Sequence, residues 1–138
     1  MSLRLPSPSV SVRAAARSLL GAALLAGAAL AHAAGMPYDK AKFDAALAQG
    51  KPVLMHFAAD WCPTCKEQKP IVDALMDDPK RQKLTYFVAD FDKETALKKR
   101  LHVTMQSTFL VFKGGKEIAR STGQTDKAEL AGLFDKAL

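Results

Sequence analysis

Val53-Leu54-Met55-His56-Phe57-Ala58-Ala59-Asp60-Trp61-Cys62-Pro63-Thr64-Cys65-Lys66 joins an apolar run to both cysteines of a 138-residue chain. Its first six residues are nearly all apolar, the pattern of a strand covered on both faces. From Pro63 the period changes. Ile71, Val72, Leu75 and Met76 share one side of a helix that is expected over Pro63–Met76, with Pro70 predicted to kink it. Pro63 suits the first helical position, where the missing N–H costs nothing. Cys62 therefore falls where a strand ends and a helix begins. Unpaired N–H groups and the positive end of the helix dipole favour its thiolate. Its pKa is expected below the roughly 8.5 of a free thiol. Cys65 lies one turn further in and is expected to be the more shielded of the two. One thiol that attacks and a second that resolves the mixed disulfide is the arrangement thiol–disulfide exchange requires.

Working outward, the pattern alternates. Residues 39–48 read as a helix with Phe43, Ala46 and Leu47 on one side, stopped by Gly50. Residues 84–91 read as a second buried strand, and 93–101 as a helix with Ala96, Leu97 and Leu101 inward. Thr108 to Phe112, Gly114-Gly115 and then Glu117 to Ala119 read as a hairpin with a glycine turn. Residues 125–137 read as a closing helix, capped by Thr125, with Leu130, Leu133 and Phe134 buried. The order α-β-α-β-α-β-β-α implies an α/β fold, a mixed β-sheet with helices on both faces.

The leader sets the expected compartment. Met1 to Arg17 carry Arg4, Arg13 and Arg17 and no acid; an uncharged Leu- and Ala-rich block follows, then Ala31-His32-Ala33. A basic start, a short apolar block and an A-x-A site describe a secretory signal peptide, residues 1–33, ahead of one domain, residues 34–138. The block is shorter than the roughly 20 residues that span a bilayer, so no stable membrane insertion is expected once the leader is cleaved. The protein is expected to be periplasmic or secreted. All 14 acidic side chains lie after the leader, which takes 3 of the 20 basic ones, so the mature chain carries a net charge of +3. Its charges alternate in sign, without a basic stripe for nucleic acid.

Trp61-Cys62-Pro63-Thr64-Cys65-Lys66 resembles the W-C-x-x-C-K of the thioredoxin family. Pro70 matches the proline of that family's active-site helix, Phe112-Lys113-Gly114-Gly115 its hairpin, and Gly123 a glycine beside its substrate groove. Ala59-Asp60-Trp61-Cys62 and Cys65-Lys66-Glu67 are most similar to the periplasmic reductase domain of DsbD-type electron transporters. The resemblance implies a thioredoxin-like fold and thiol–disulfide oxidoreductase activity. It makes Cys62 and Cys65 the catalytic pair, with Trp61, Pro63, Thr64 and His56 in support. Substrate would be bound by Trp61, Gln106, Ser107 and Gly123. Expected partners are protein disulfide or dithiol substrates and an upstream redox protein, with the chain a monomer and no cofactor. Pro63-Thr64 lacks the histidine that makes strong oxidants favour their reduced form, so the chain is expected to act as a reductant.

Two positions depart from the family. Ser107 stands where the family places a cis-proline facing the cysteines. A cis bond costs about 3–4 kcal/mol without proline, so the Gln106–Ser107 bond is expected to be either strained or trans. The loop is expected to be looser towards disulfide substrates and more permissive towards soft metals. His56 takes the place of a buried acid that assists the second cysteine in many relatives. An imidazole could relay a proton there near neutral pH, or it could be a core histidine satisfied by a backbone carbonyl.

Other readings of the same residues are bland. A structural Cys62–Cys65 disulfide would close too small a ring to stabilise the fold much. His102, among Lys98, Lys99 and Arg100, reads as a solvated surface residue, and Met55, Met76 and Met105 as core filler. The rival of another class is a soft-metal carrier for copper or zinc. Two thiolates are half of a tetrahedral zinc shell, and Cu(I) could take Met105 as a further ligand.

Overall fold

A computed structural model describes residues 34–138. The expected leader and its cleavage site lie outside the described residues. The elements are β1 (Met36–Pro37), α1 (Lys40–Ala48), β2 (Val53–Ala58), α2 (Pro63–Met76), β3 (Thr85–Asp90), α3 (Thr95–Leu101), β4 (Thr108–Lys113), β5 (Lys116–Thr122) and α4 (Lys127–Asp135). A single 3₁₀ turn, Pro79–Arg81, lies between α2 and β3. The strands form one mixed sheet in the order β1-β3-β2-β4-β5. β2 runs parallel to β3 and antiparallel to β4, and β4 and β5 form the hairpin.

The apolar block Val53–Ala58 is central in this order, with a neighbour on each edge, so its side chains are buried on both faces. Val53, Met55 and Phe57 join Phe43 of α1, Leu97 of α3, Phe87 and Phe112 in one cluster. Leu54 joins Val72, Leu75 and Met76 of α2 and Leu130, Leu133 and Phe134 of α4 in the other. The alternation of a strand thus divides one run of sequence between two cores.

Several boundaries differ from the sequence reading, each for a local reason. β1 is missing from the expected order because two residues, one a proline, carry no alternation; it pairs with Phe87 and Val88 of β3. Asp39 lies outside α1 as its cap, accepting from Lys42 N–H at 2.8 Å. Thr125 is not the cap of α4. Gln124 Oε1 accepts from the N–H of Thr125 and of Asp126, and Asp126 caps the helix through Glu129 N–H at 2.9 Å. Asp90 Oδ1 similarly accepts from the N–H of Asp92 and of Lys93, holding both in a turn ahead of α3. On α3, Leu97 is buried but Ala96 is exposed. Gly114 and Gly115 both have positive φ, as a two-residue hairpin turn requires. A β-carbon at Gly115 would also stand 2.9 Å from the Leu47 carbonyl oxygen.

Candidate active site

Cys62 leaves β2 through Ala59-Asp60-Trp61 and becomes the N-cap of α2. Its backbone is extended, and its sulfur accepts from Cys65 N–H at 3.1 Å. Pro63 opens the helix and Pro70 lies inside it, exposed, so the Lys66 carbonyl loses its helical donor. Both cysteines are reduced and buried. Both are almost fully removed from solvent, Cys62 1% and Cys65 6% exposed, and burial acts more strongly on Cys65, as expected. The two sulfurs differ in how burial and hydrogen bonding balance. Burial alone would raise the Cys62 pKa; hydrogen bonds from the Cys65 thiol, the Ser107 hydroxyl and the N–H groups of Cys65 and Thr64 outweigh it and lower the value. At Cys65, burial and the neighbouring Cys62 raise the pKa against smaller opposing bonds from Ser107 and Ala59.

Ser107 is the centre of this arrangement. Its hydroxyl oxygen stands 3.1 Å from Cys62 Sγ and 3.2 Å from Cys65 Sγ. No cis peptide bond occurs among the described residues, so the Gln106–Ser107 bond is trans, and Ser107 takes φ +59° instead. The loop is not loose. The Ser107 carbonyl accepts from Gly123 N–H at 2.9 Å and from Gln68 Nε2 at 3.3 Å. Thr108 Oγ1 donates to the Met105 carbonyl and lies 2.9 Å from Thr122 Oγ1. A backbone hydrogen bond and a buried side chain replace the stiffness that proline would have supplied.

Beneath this loop runs a buried polar chain. Gln68 donates from Nε2 to the carbonyls of Ser107 and Gln124, which turns its Oε1 towards His56 Nε2 at 3.0 Å. His56 therefore carries its proton on Nε2, and Nδ1 accepts from Tyr86 O–H at 3.3 Å. Burial pushes the imidazole down to about 4, against the opposing bond to Gln68. The Phe109 ring stacks on it at 4.0 Å. His56 is thus satisfied by two side chains rather than by a backbone carbonyl, and neither nitrogen bonds a cysteine. His56 and Cys65 do share the lining of a cavity of about 400 Å³, together with Ala59, Lys66 and Tyr86.

Of the other expected site residues, Trp61 is 57% exposed beside the cysteines, its Nε1 donating to Asp92 Oδ2 at 2.7 Å. Pro63 is exposed, Thr64 and Gln106 are half-buried, and Gly123 is exposed with φ +74°. The structure brings Cys62, Cys65, Ser107 and Gly123 into one chain of contacts. Met55 and Met76 are core residues as expected, whereas Met105 is 55% exposed. Among the described residues, no group of three His, Cys, Asp or Glu side chains could hold a metal ion. Sequence reasoning missed Gln68 and Tyr86. The one available signal for Gln68 was a polar residue four positions before the apolar stripe position Val72, on the buried side of α2.

Comparison with known proteins agrees with this geometry. The thioredoxin family model matches residues 35–136. The chain belongs to the thioredoxin family. It is similar to Trxlp of Edwardsiella tarda, whose crystal structure superposes with a TM-score of 0.70 at 36% identity, covering 72% of this chain and 96% of that one. It is 34% identical over 84 residues to the thioredoxin of Chlamydia trachomatis, covering 61% of this chain and 80% of the relative. It is 32% identical over 92 residues to a bifunctional thioredoxin reductase/thioredoxin of Mycobacterium leprae, 67% of this chain but only 20% of that protein's length. Membership makes the chain a thiol–disulfide oxidoreductase with a Cys62–Cys65 pair.

Proposed function

We propose that the chain is an exported, monomeric oxidoreductase that reduces protein disulfides in the periplasm or outside the cell. Cys62 attacks the substrate disulfide, Cys65 resolves the mixed disulfide, and a dithiol protein upstream restores the pair. The observation that carries the roles of the two thiols is their opposite displacement, while the reductant direction rests on the absence of a histidine from Pro63-Thr64. At the N-cap of α2, hydrogen bonds stabilise a thiolate at Cys62, while Cys65 is kept protonated until it is needed. Trp61, next to Cys62 in sequence, and Met105, two residues before Ser107, are both exposed and offer apolar surface for docking of an extended peptide. Trp61, Gln106, Ser107 and Gly123 form the substrate-facing edge, and Pro63 and Thr64 set the helix start. The apolar leader of residues 1–33 supports export. No helix among the described residues is long and apolar enough to cross a membrane.

The direction of electron flow is tested by equilibrating the purified domain against glutathione buffers. A reductant should lie near the roughly −270 mV of thioredoxin; a value near the −120 mV or so of a strong periplasmic oxidant would overturn the assignment. Export is tested by fusing residues 1–45 to a reporter active only outside the cytoplasm, with the mature N-terminus read by mass spectrometry. Activity with cleavage after Ala33 is expected, and an intact leader with an inactive reporter would refute it.

A further inference from the structure

We propose that the Ser107 hydroxyl is a catalytic proton relay between the two cysteines. It donates to Cys62 while that sulfur attacks. In the resolving step it passes the Cys65 proton to the departing substrate sulfur. The inference rests on the reading above, in which Cys62 attacks and Cys65 resolves.

The geometry is specific to a hydroxyl. A serine offers one O–H donor and two acceptor lone pairs. Among the described residues, the Ser107 hydroxyl bonds only the two sulfurs, at 3.1 and 3.2 Å. As a thiolate, Cys62 Sγ has no proton to give, so it accepts from the Ser107 O–H as it does from Cys65 N–H. Once Cys62 is bonded to the substrate sulfur and is no longer a thiolate, the Cys65 thiol turns its proton to Ser107 Oγ, 3.2 Å away. Proline at this position has no atom that can do either. The hydroxyl is also held in place. Ser107 is 3% exposed, and its carbonyl is fixed by Gly123 N–H and Gln68 Nε2. Its φ of +59° is a conformation that a residue other than glycine keeps only where the surroundings over-determine it. Gln68 is therefore a positioning residue for the relay.

The steps balance. The Cys62 thiolate bonds to one sulfur of the substrate disulfide, the substrate S–S bond breaks, and the first departing thiolate takes a proton from solvent. Cys65 Sγ then bonds to Cys62 Sγ, and the bond between Cys62 and the substrate sulfur breaks. As it does, the Cys65 proton moves to Ser107 Oγ while the serine's own proton moves to the departing sulfur. Two electrons leave the protein dithiol, the substrate disulfide becomes two thiols, and Ser107 ends as it began.

The test follows mixed-disulfide formation and its resolution separately, by stopped flow with a model peptide disulfide, in wild type, Ser107→Ala and Ser107→Gly. Glycine accepts the positive φ without strain, so its loop survives even where alanine destabilises it. Both variants should slow resolution about a hundredfold at neutral pH, within the usual range for a positioned acid–base group. The defect should shrink at alkaline pH, where Cys65 ionises unaided. Wild type should show a solvent deuterium isotope effect on resolution that falls in both variants. Resolution at the wild-type rate in both variants would overturn the relay. So would a defect that persists undiminished at alkaline pH, since that is the mark of lost packing. A Cys65→Ala variant that forms no mixed disulfide at Cys62 would instead remove the assignment of the two thiols, and the relay with it.

Discussion

The two faces of the sheet are built on different terms. Against α1 and α3, the core is built on aromatic packing: Phe43 meets Phe87 and Phe112 edge-on at 5.7 and 5.5 Å, over Val53, Met55 and Phe57. Against α2 and α4, an equally buried layer is crossed by the hydrogen-bonded line Tyr86, His56, Gln68 and the Ser107 carbonyl. Every buried side-chain nitrogen and oxygen among the described residues has a partner. The apolar face is redundant, since many contacts share its energy and each is small. In the polar line each member has one or two partners in a low-dielectric interior, where losing one leaves a costly orphan. Both faces bury apolar clusters, and the geometry of the cysteines is set from the face that α2 and α4 cover.

The largest effect should come from breaking the apolar face. Phe43 is fully buried, and Phe43→Ala should lower stability by about 3–5 kcal/mol through lost transfer energy and an unfilled cavity. Denaturant unfolding measures that loss. Below the transition, the alkylation rate of Cys62 should match wild type, because no contact of Phe43 reaches the cysteines. A changed rate in the folded variant would mean that the two faces are coupled.

The polar line should respond to pH where the apolar face does not. His56 titrates at about 4 in the folded chain, against about 6.5 when unfolded. Between those values the unfolded state binds more protons, so stability falls as pH falls from about 6.5 to about 4 and levels off below that. The displacement corresponds to a loss of up to about 3 kcal/mol across the window. Acidic groups with lowered pKa values, among them Asp44 and Asp135, add their own loss at lower pH. Subtracting the stability profile of His56→Leu from that of wild type isolates the histidine. A difference that is flat with pH would show that His56 is not held neutral by the fold.

Much of this was legible in the sequence, for reasons that can be located. Val53–Ala58 and Pro63–Met76 are long, strongly patterned elements, and both have the bounds their periodicity implies. The thiols were legible in part because a cysteine between a strand and a Pro-initiated helix meets backbone N–H groups, although the Cys65 thiol and Ser107 hydroxyl add larger bonds. What was hidden depends on contacts between distant residues. Asp126 displaced Thr125 as a cap because Gln124 ties the preceding turn. Gln68 looks like an ordinary polar helix residue until α2 is packed on β2 and against the Ser107 loop, 39 residues away. The substitution at Ser107 was visible, but the bonds that hold its loop were not. A missing proline suggested slack, and only the bonds from Gly123 and Gln68 explain why the loop is fixed.

The smallest expected effect tests whether the polar line reaches the chemistry at equilibrium. The Ser107 hydroxyl stabilises the Cys62 thiolate, which exists only in the reduced protein, so it favours the reduced form and raises the reduction potential. Ser107→Ala should therefore make the protein a stronger reductant, but only where Cys62 is ionised. At acid pH both forms hold two protons on the dithiol, and the potentials of variant and wild type should coincide. As pH rises, wild type should pass first to the shallower dependence that marks a thiolate at Cys62, and the variant later. Above both breaks the variant should lie lower by about 30 mV for each pH unit by which its Cys62 titration has moved, equivalent to about 1.4 kcal/mol. Phe43→Ala, on the opposite face, should leave the whole curve in place. Coincident curves for wild type and Ser107→Ala at every pH would show that the hydroxyl bonds thiol and thiolate equally well. The lowered pKa of Cys62 would then belong to the Cys65 thiol and the N–H groups at the start of α2.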